Sequence, residues 1–181
     1  MEIKKLTHTL PRRGGWPKRR LSAITDITVH HSATSANHTP LSFARYHIGS
    51  TSKQLPKNNR GKGWPAIAYH FVITADGTVN QTLLLDEWSN HNGYNNGHAL
   101  GVCLVGNFEE HDPTPAQMEA LHTLITWLKA ALPSIKTLMG HREYPVRQNE
   151  TRTLCPGKHL SIEPLRERHD LARHTAADII H

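Results

Sequence analysis

Hydrophobic positions along the chain recur with two periods, one suited to strands and one to helices. The β-branched run Ile27, Thr28, Val29 within Asp26 to His31 predicts a strand. Another is predicted over Tyr69 to Thr74, and Asp76-Gly77 is a hairpin signal leading into a third from Thr78 to Leu84. Leu100 to Val105 is nearly all apolar, the pattern of a central strand covered on both faces. A short final strand is expected over Ile135 to Met139. Helical spacing takes over at Met118, Leu121, Leu124, Ile125, Leu128 and Leu132, behind the capping box Thr114-Pro115-Ala116-Gln117 and ahead of Pro133. Thr39-Pro40 opens a shorter helix through about Tyr46, and Ile162 to Ile180 is expected to be helical. Together these predict an α/β fold with a single domain, a mixed central β-sheet and helices packed against it. Residues 1–23, with Arg12, Arg13, Lys18, Arg19 and Arg20 around glycines and a proline, read as a basic N-terminal arm before a domain over 24–181.

Composition narrows the partners. At 181 residues the chain is long enough to bury a core without disulfides. No apolar run approaches the roughly 18 residues of a spanning helix. Met1 to Arg13 is charged and has no apolar stretch of a secretory leader, which points to synthesis in the cytoplasm. A formal charge of +6 and a pI near 9.5 favour polyanionic partners, whether nucleic acid, anionic lipid or acidic wall polymers. A nucleic-acid reader is disfavoured, because no recognition-helix, zinc-finger or aromatic RNA-binding signature accompanies the charge. Between Gly49 and Pro65 lies a long polar loop with Lys53, Lys57, Arg60 and Lys62, expected to be functional or mobile. The two cysteines, Cys103 and Cys155, sit in different contexts, and Cys103 inside an apolar strand reads as a buried small hydrophobe.

Fifteen histidines raise the prior for metal binding or proton transfer. Three places join metal-ligand chemistry to element ends: Val29-His30-His31-Ser32, Gly140-His141-Arg142-Glu143 and Leu154-Cys155-Pro156-Gly157. Two imidazoles and one thiolate satisfy the three-ligand count of a catalytic zinc with one position open. Taken singly each histidine is more often structural or exposed, and spacing alone does not select the set.

Six motifs in order do more. Val29-His30-His31-Ser32-Ala33-Thr34, Ala68-Tyr69-His70-Phe71-Val72-Ile73 with Asp76-Gly77-Thr78, Leu100-Gly101-Val102-Cys103-Leu104-Val105-Gly106, Thr114-Pro115-Ala116-Gln117-Met118, Gly140-His141-Arg142-Glu143 and Cys155-Pro156-Gly157 span about Ile24 to Lys158. They resemble the type 2 N-acetylmuramoyl-L-alanine amidases, the family of the T7-like phage lysozymes and the peptidoglycan recognition proteins. The resemblance implies Zn2+ held by His30, His141 and Cys155, and a catalytic Tyr69 beside the metal. It also implies hydrolysis of the amide between N-acetylmuramic acid and L-alanine in peptidoglycan.

Thr153 stands where T7-like members carry a lysine and is expected to assist catalysis. His91 and Asn92 fall near the family's tryptophan-histidine pair and are expected at the substrate. The resemblance also separates the adjacent histidines: on a strand only one of the two can reach the metal, so with His30 as the ligand His30 and Thr28 face the groove, while His31 turns inward with Ile27 and Val29. Arg142 and Glu143 flank a ligand and are expected to orient it. The whole resembles a monomeric phage endolysin that reaches the cell wall after release, with peptidoglycan and anionic envelope polymers as partners. The alternative is a non-catalytic peptidoglycan-binding module on the same fold; the presence of Cys155 favours the enzyme.

Overall fold

The computed structural model describes residues 1–50, 61–145 and 152–174. Among these residues six strands make one sheet: β1 Ile3–Lys5, β2 Asp26–His31, β3 Phe71–Ile73, β4 Val79–Gln81, β5 Ala99–Leu104 and β6 Thr137–Gly140, in the order β1-β4-β3-β5-β2-β6. The β3/β4 pair is antiparallel and the other pairings are parallel, so the sheet is mixed as expected. Among the described residues, three α-helices accompany it, α1 Pro40–Ile48, α2 Pro115–Ala131 and α3 Glu163–His169.

β2 lies between β5 and the edge strand β6, and all six of its residues are buried. Its odd-numbered apolar residues Ile27 and Val29 pack into the main core with Leu121, Leu124 and Leu128 of α2 and Leu165 of α3. A smaller core on the opposite face joins Phe43 and Ala44 of α1 to Ala66, Ile67, Val72, Leu83 and Val105. Burying each large apolar side chain in these layers stabilises the fold by about 1.5–3 kcal/mol. The capping box of α2 also docks the helix. Thr114 Oγ1 accepts from Gln117 N and donates to Ala75 O at 2.7 Å, while the Gln117 amide donates to Ile73 O and Val105 O at the sheet end. Thr39 caps α1 in the same way, with Ser42 as its reciprocal partner.

The first 23 residues do not form an arm held away from the domain. β1 extends the sheet beside β4, and Trp16 Nε1 donates to Ile67 O at 2.8 Å. Several of the basic residues have internal partners. Arg12 pairs with Glu87, whose carboxylate is buried and needs a cation, Lys18 meets Asp86 at 2.7 Å, and Arg19 donates to Asn96 O at 2.6 Å. The C-terminal helix is shorter than its expected span from Ile162 to Ile180. It ends at His169 because Asp170 adopts a left-handed conformation (φ 48°), after which Ala172 bridges to Thr137 at the sheet edge. Residues 175–181 of that expectation lie outside the described residues, as do Lys53, Lys57 and Arg60 of the polar loop.

Candidate active site

At the C-terminal end of β2, His30, His141 and Cys155 converge. Their ligand atoms all lie within 4.8 Å of one another, and Cys155 Sγ is 3.6 Å from His30 Nδ1. Three separate elements deliver them: β2 carries His30, the 3-10 turn after β6 carries His141, and the segment before α3 carries Cys155. Two imidazoles and a thiol in this proximity fit a metal ion of the borderline class. Burial pushes the Cys155 thiol up to about 12, against a smaller opposing pull from the His31 backbone and Arg142. A thiolate there therefore requires a cation beside it, and a metal would displace its proton.

The hydrogen-bond pattern fixes which nitrogen of His30 faces the cysteine. His91 Nε2 lies 3.3 Å from Ala99 O, which only accepts, so this nitrogen carries the proton and His91 Nδ1 is an acceptor. His30 Nε2, 3.1 Å from His91 Nδ1, must then donate to it. That leaves His30 Nδ1 bare, on the side of Cys155. Burial, with the neighbouring His141, His91 and His31, holds His30 well below the usual histidine range; burial also brings His141 down to about 4. Both imidazoles are thus neutral near pH 7, as metal ligation requires.

The loops bearing the ligands are fastened to each other through their backbones. Arg142 N donates to Cys155 O at 2.6 Å, and the Arg142 guanidinium donates to Gly157 O at 2.9 Å. Glu143 accepts from Gly140 N at 2.6 Å and receives a two-pronged contact from Arg166 of α3 at 2.9 and 3.0 Å. Arg142 and Glu143 therefore orient the ligand turn as a unit; no hydrogen bond links either side chain to the His141 ring among the described contacts. Gly157 is required by shape: its φ is +98°, and a Cβ there would stand 2.4 Å from the backbone of Phe108.

A cavity of 590 Å³ opens over the ligands, and Tyr69, Thr153 and His91 line it as well. The Tyr69 ring lies 5.3 Å from that of His30 and 5.5 Å from that of His47. Burial, followed by Cys103 and Cys155, holds its phenol well above the ordinary value, so it remains a neutral donor. Thr153 Oγ1 accepts from Cys155 N at 3.1 Å. His91 reaches the cavity but is bound to His30, so its polar atoms are engaged behind the ligand. Its ring packs on β5 where Gly101 leaves room, since a Cβ at Gly101 would be 2.8 Å from His91 Cγ. Asn92 departs from its expected place at the substrate. It is buried, and its amide donates to Thr28 Oγ1 at 3.3 Å. Because the 3-10 turn after it ties Asn92 N and His91 N to Asn96 Oδ1, the loop points the amide inward.

His31 packs against Phe108 and its Nδ1 accepts from Phe108 N at 3.0 Å, the inward role that alternation implies. Two residues escaped the sequence reading. His47 lies at the end of α1 with Nδ1 accepting from Ala68 N at 3.1 Å; its i, i+4 spacing from Phe43 was the available signal. Tyr144 spans Thr28 and Asp26, a contact that no local pattern announces.

The family described as N-acetylmuramoyl-L-alanine amidase matches residues 17–158. The endolysin of Klebsiella phage KP32 is 34% identical over 125 residues, covering 66% of this chain and 75% of that one. The endolysin of Escherichia phage T7 is 36% identical over 125 residues, covering 65% and 74%. Among solved structures, the N-acetylmuramoyl-L-alanine amidase LysC from Clostridium intestinale superposes with a TM-score of 0.71 at 28% identity, over 95% of this chain and 99% of that one. With the six motifs, the fold and the whole-length match in agreement, this chain belongs to the N-acetylmuramoyl-L-alanine amidase family and is an enzyme of that activity.

Proposed function

We propose that the chain is a zinc-dependent phage endolysin that cleaves the amide between N-acetylmuramic acid and L-alanine in peptidoglycan, with His30, His141 and Cys155 as the zinc ligands. The observation that carries this reading is the convergence of those three donors within 4.8 Å beneath an open cavity. A zinc ion held there supplies a Lewis acid for the scissile carbonyl and lowers the pKa of water toward about 7.

The remaining roles belong to the chain's own groups. His91, with its Nε2 proton spent on Ala99 O, accepts from His30 Nε2 and keeps the opposite nitrogen aimed at the site. Tyr69, as a neutral phenol, donates to the carbonyl oxygen as negative charge develops on it. Thr153 holds the Cys155 backbone N–H through Oγ1, leaving its own O–H to donate into the cavity. Tyr46, Trp64 and Lys62 line the same cavity and offer aromatic and cationic contacts to a glycopeptide bearing carboxylates. The departing L-alanine amine gains the proton that the attacking water gives up. In this reading the protein is a monomer that works at the cell wall after synthesis in the host cytoplasm.

The test uses a soluble muropeptide. Chelator treatment is expected to abolish hydrolysis and one equivalent of zinc to restore it, while Tyr69→Phe keeps its zinc and loses about 10- to 1,000-fold in turnover. Full activity in the metal-free protein would defeat the zinc assignment, and unchanged turnover in Tyr69→Phe would return that residue to a packing role.

A further inference from the structure

We propose a second divalent transition-metal site, formed by Asp26, His98 and His174 at the opposite end of β2 from the catalytic ligands. Among the described residues, two groups bring three ligand atoms within 4.8 Å of one another; one is His30, His141 and Cys155, and the other is this one. Three segments supply it: the first residue of β2, the residue just before β5 and the extended stretch after α3.

Asp26 is fully buried, and among the described residues no lysine or arginine pairs with it. A buried carboxylate needs a compensating charge. Three polar atoms also crowd onto one of its two oxygens. Asp26 Oδ2 faces His174 Nε2 at 2.5 Å, His98 Nδ1 at 3.1 Å and the Tyr144 hydroxyl at 3.1 Å. A carboxylate oxygen has about two lone-pair sites. One cation shared by Oδ2 and the two imidazole nitrogens would supply the compensating charge and leave Oδ2 a lone pair for Tyr144. Tyr144 and Thr25, whose Oγ1 donates to Oδ1 at 2.7 Å, then fix the carboxylate from behind.

Two imidazoles and a carboxylate select zinc, cobalt or nickel over magnesium or calcium. The His98 side chain is 37% exposed, so the ion keeps a face toward water and exchanges with solvent. Without a thiolate, the site is the weaker of the two. Occupied, it clamps the segment carrying His174 onto the strand that carries His30.

Metal analysis after equilibrium dialysis against low-micromolar free zinc tests the site. His98→Gln with His174→Gln is expected to carry one zinc equivalent fewer than its parent, both in the wild-type chain and in Cys155→Ser. This difference is independent of occupancy at the catalytic ligands, so its failure and the failure of the catalytic assignment read out separately. An equal zinc count with and without the two substitutions overturns the proposal. If the double variant does not fold, His98→Gln alone, on the solvent side, is expected to weaken the second equivalent at least tenfold, and an unchanged second binding step overturns it equally.

Discussion

The two sides of β2 are equally buried and are held by different physics. Ile27 and Val29 face α2 and α3 among leucines and isoleucines, where removal from water is stabilising without directional demands. Asp26, Thr28 and His30 face the other way at 0 to 2% exposure, and each has specific partners. The hydrogens run in one direction: Asn92 donates to Thr28, Thr28 to Tyr144, and Tyr144 to Asp26, since the carboxylate can only accept. A side chain on the apolar side can be exchanged for one of similar volume. On the polar side, a changed residue leaves a buried donor or acceptor unmatched, which costs about 1–3 kcal/mol before any function is counted.

The largest separation of the two sides is expected from removing a ligand. His141→Ala should lose the metal held with His30 and Cys155 and reduce muropeptide hydrolysis to background while circular dichroism and the melting transition show a folded chain. Hydrolysis persisting at the wild-type rate would break the comparison on its polar side. Leu124→Ala inverts this outcome: the chain should be destabilised by about 2–5 kcal/mol in urea unfolding, with unchanged turnover per folded molecule.

A smaller effect is expected at the second contact of His30. Gly101→Ala places a methyl against the His91 ring, and His91→Ala removes the acceptor for His30 Nε2. Either change should weaken metal affinity by about 10- to 100-fold in a competitive chelator titration. Affinity equal to the parent's in both would show that His91 is packing alone.

The mildest test is pH. His47 and His70 are held down to about 4 and about 3, burial being the main cause in each, while an unfolded chain protonates near the ordinary 6.5. Between those values the unfolded state binds more protons, so stability is complete above about pH 6.5 and falls as pH drops toward 4. His47→Gln should flatten the acid side of the curve of urea midpoint against pH. Leu124→Ala should lower the whole curve without changing that slope.

The parts legible in the sequence were those written in local period and capping. β2, β5 and α2 carry strong patterns, and the Thr114 and Thr39 caps mark their helix starts correctly. β1 was not legible, because a three-residue edge strand with two lysines owes its pairing to the exposed edge of β4 and not to its own side chains. The end of α3 was equally hidden: Asp170 in a left-handed conformation stops it, where the sequence offers no glycine or proline. At the site, the motifs placed His30, His141, Cys155, Tyr69 and Thr153, which the structure brings to one cavity. The direction of Asn92 and the engagement of His91 depend on how Asn96 folds the intervening loop, a long-range packing result that alternation and spacing do not encode.

The most direct measurement of the central claim is the chemistry of the ends released from purified sacculi. Mass spectrometry after digestion should find stem peptides with a free L-alanine amine and glycan chains whose muramic acid carries a free lactyl carboxylate, with neither product formed by Cys155→Ser. New reducing sugar ends, cleavage within the peptide, or the same products from Cys155→Ser would contradict it.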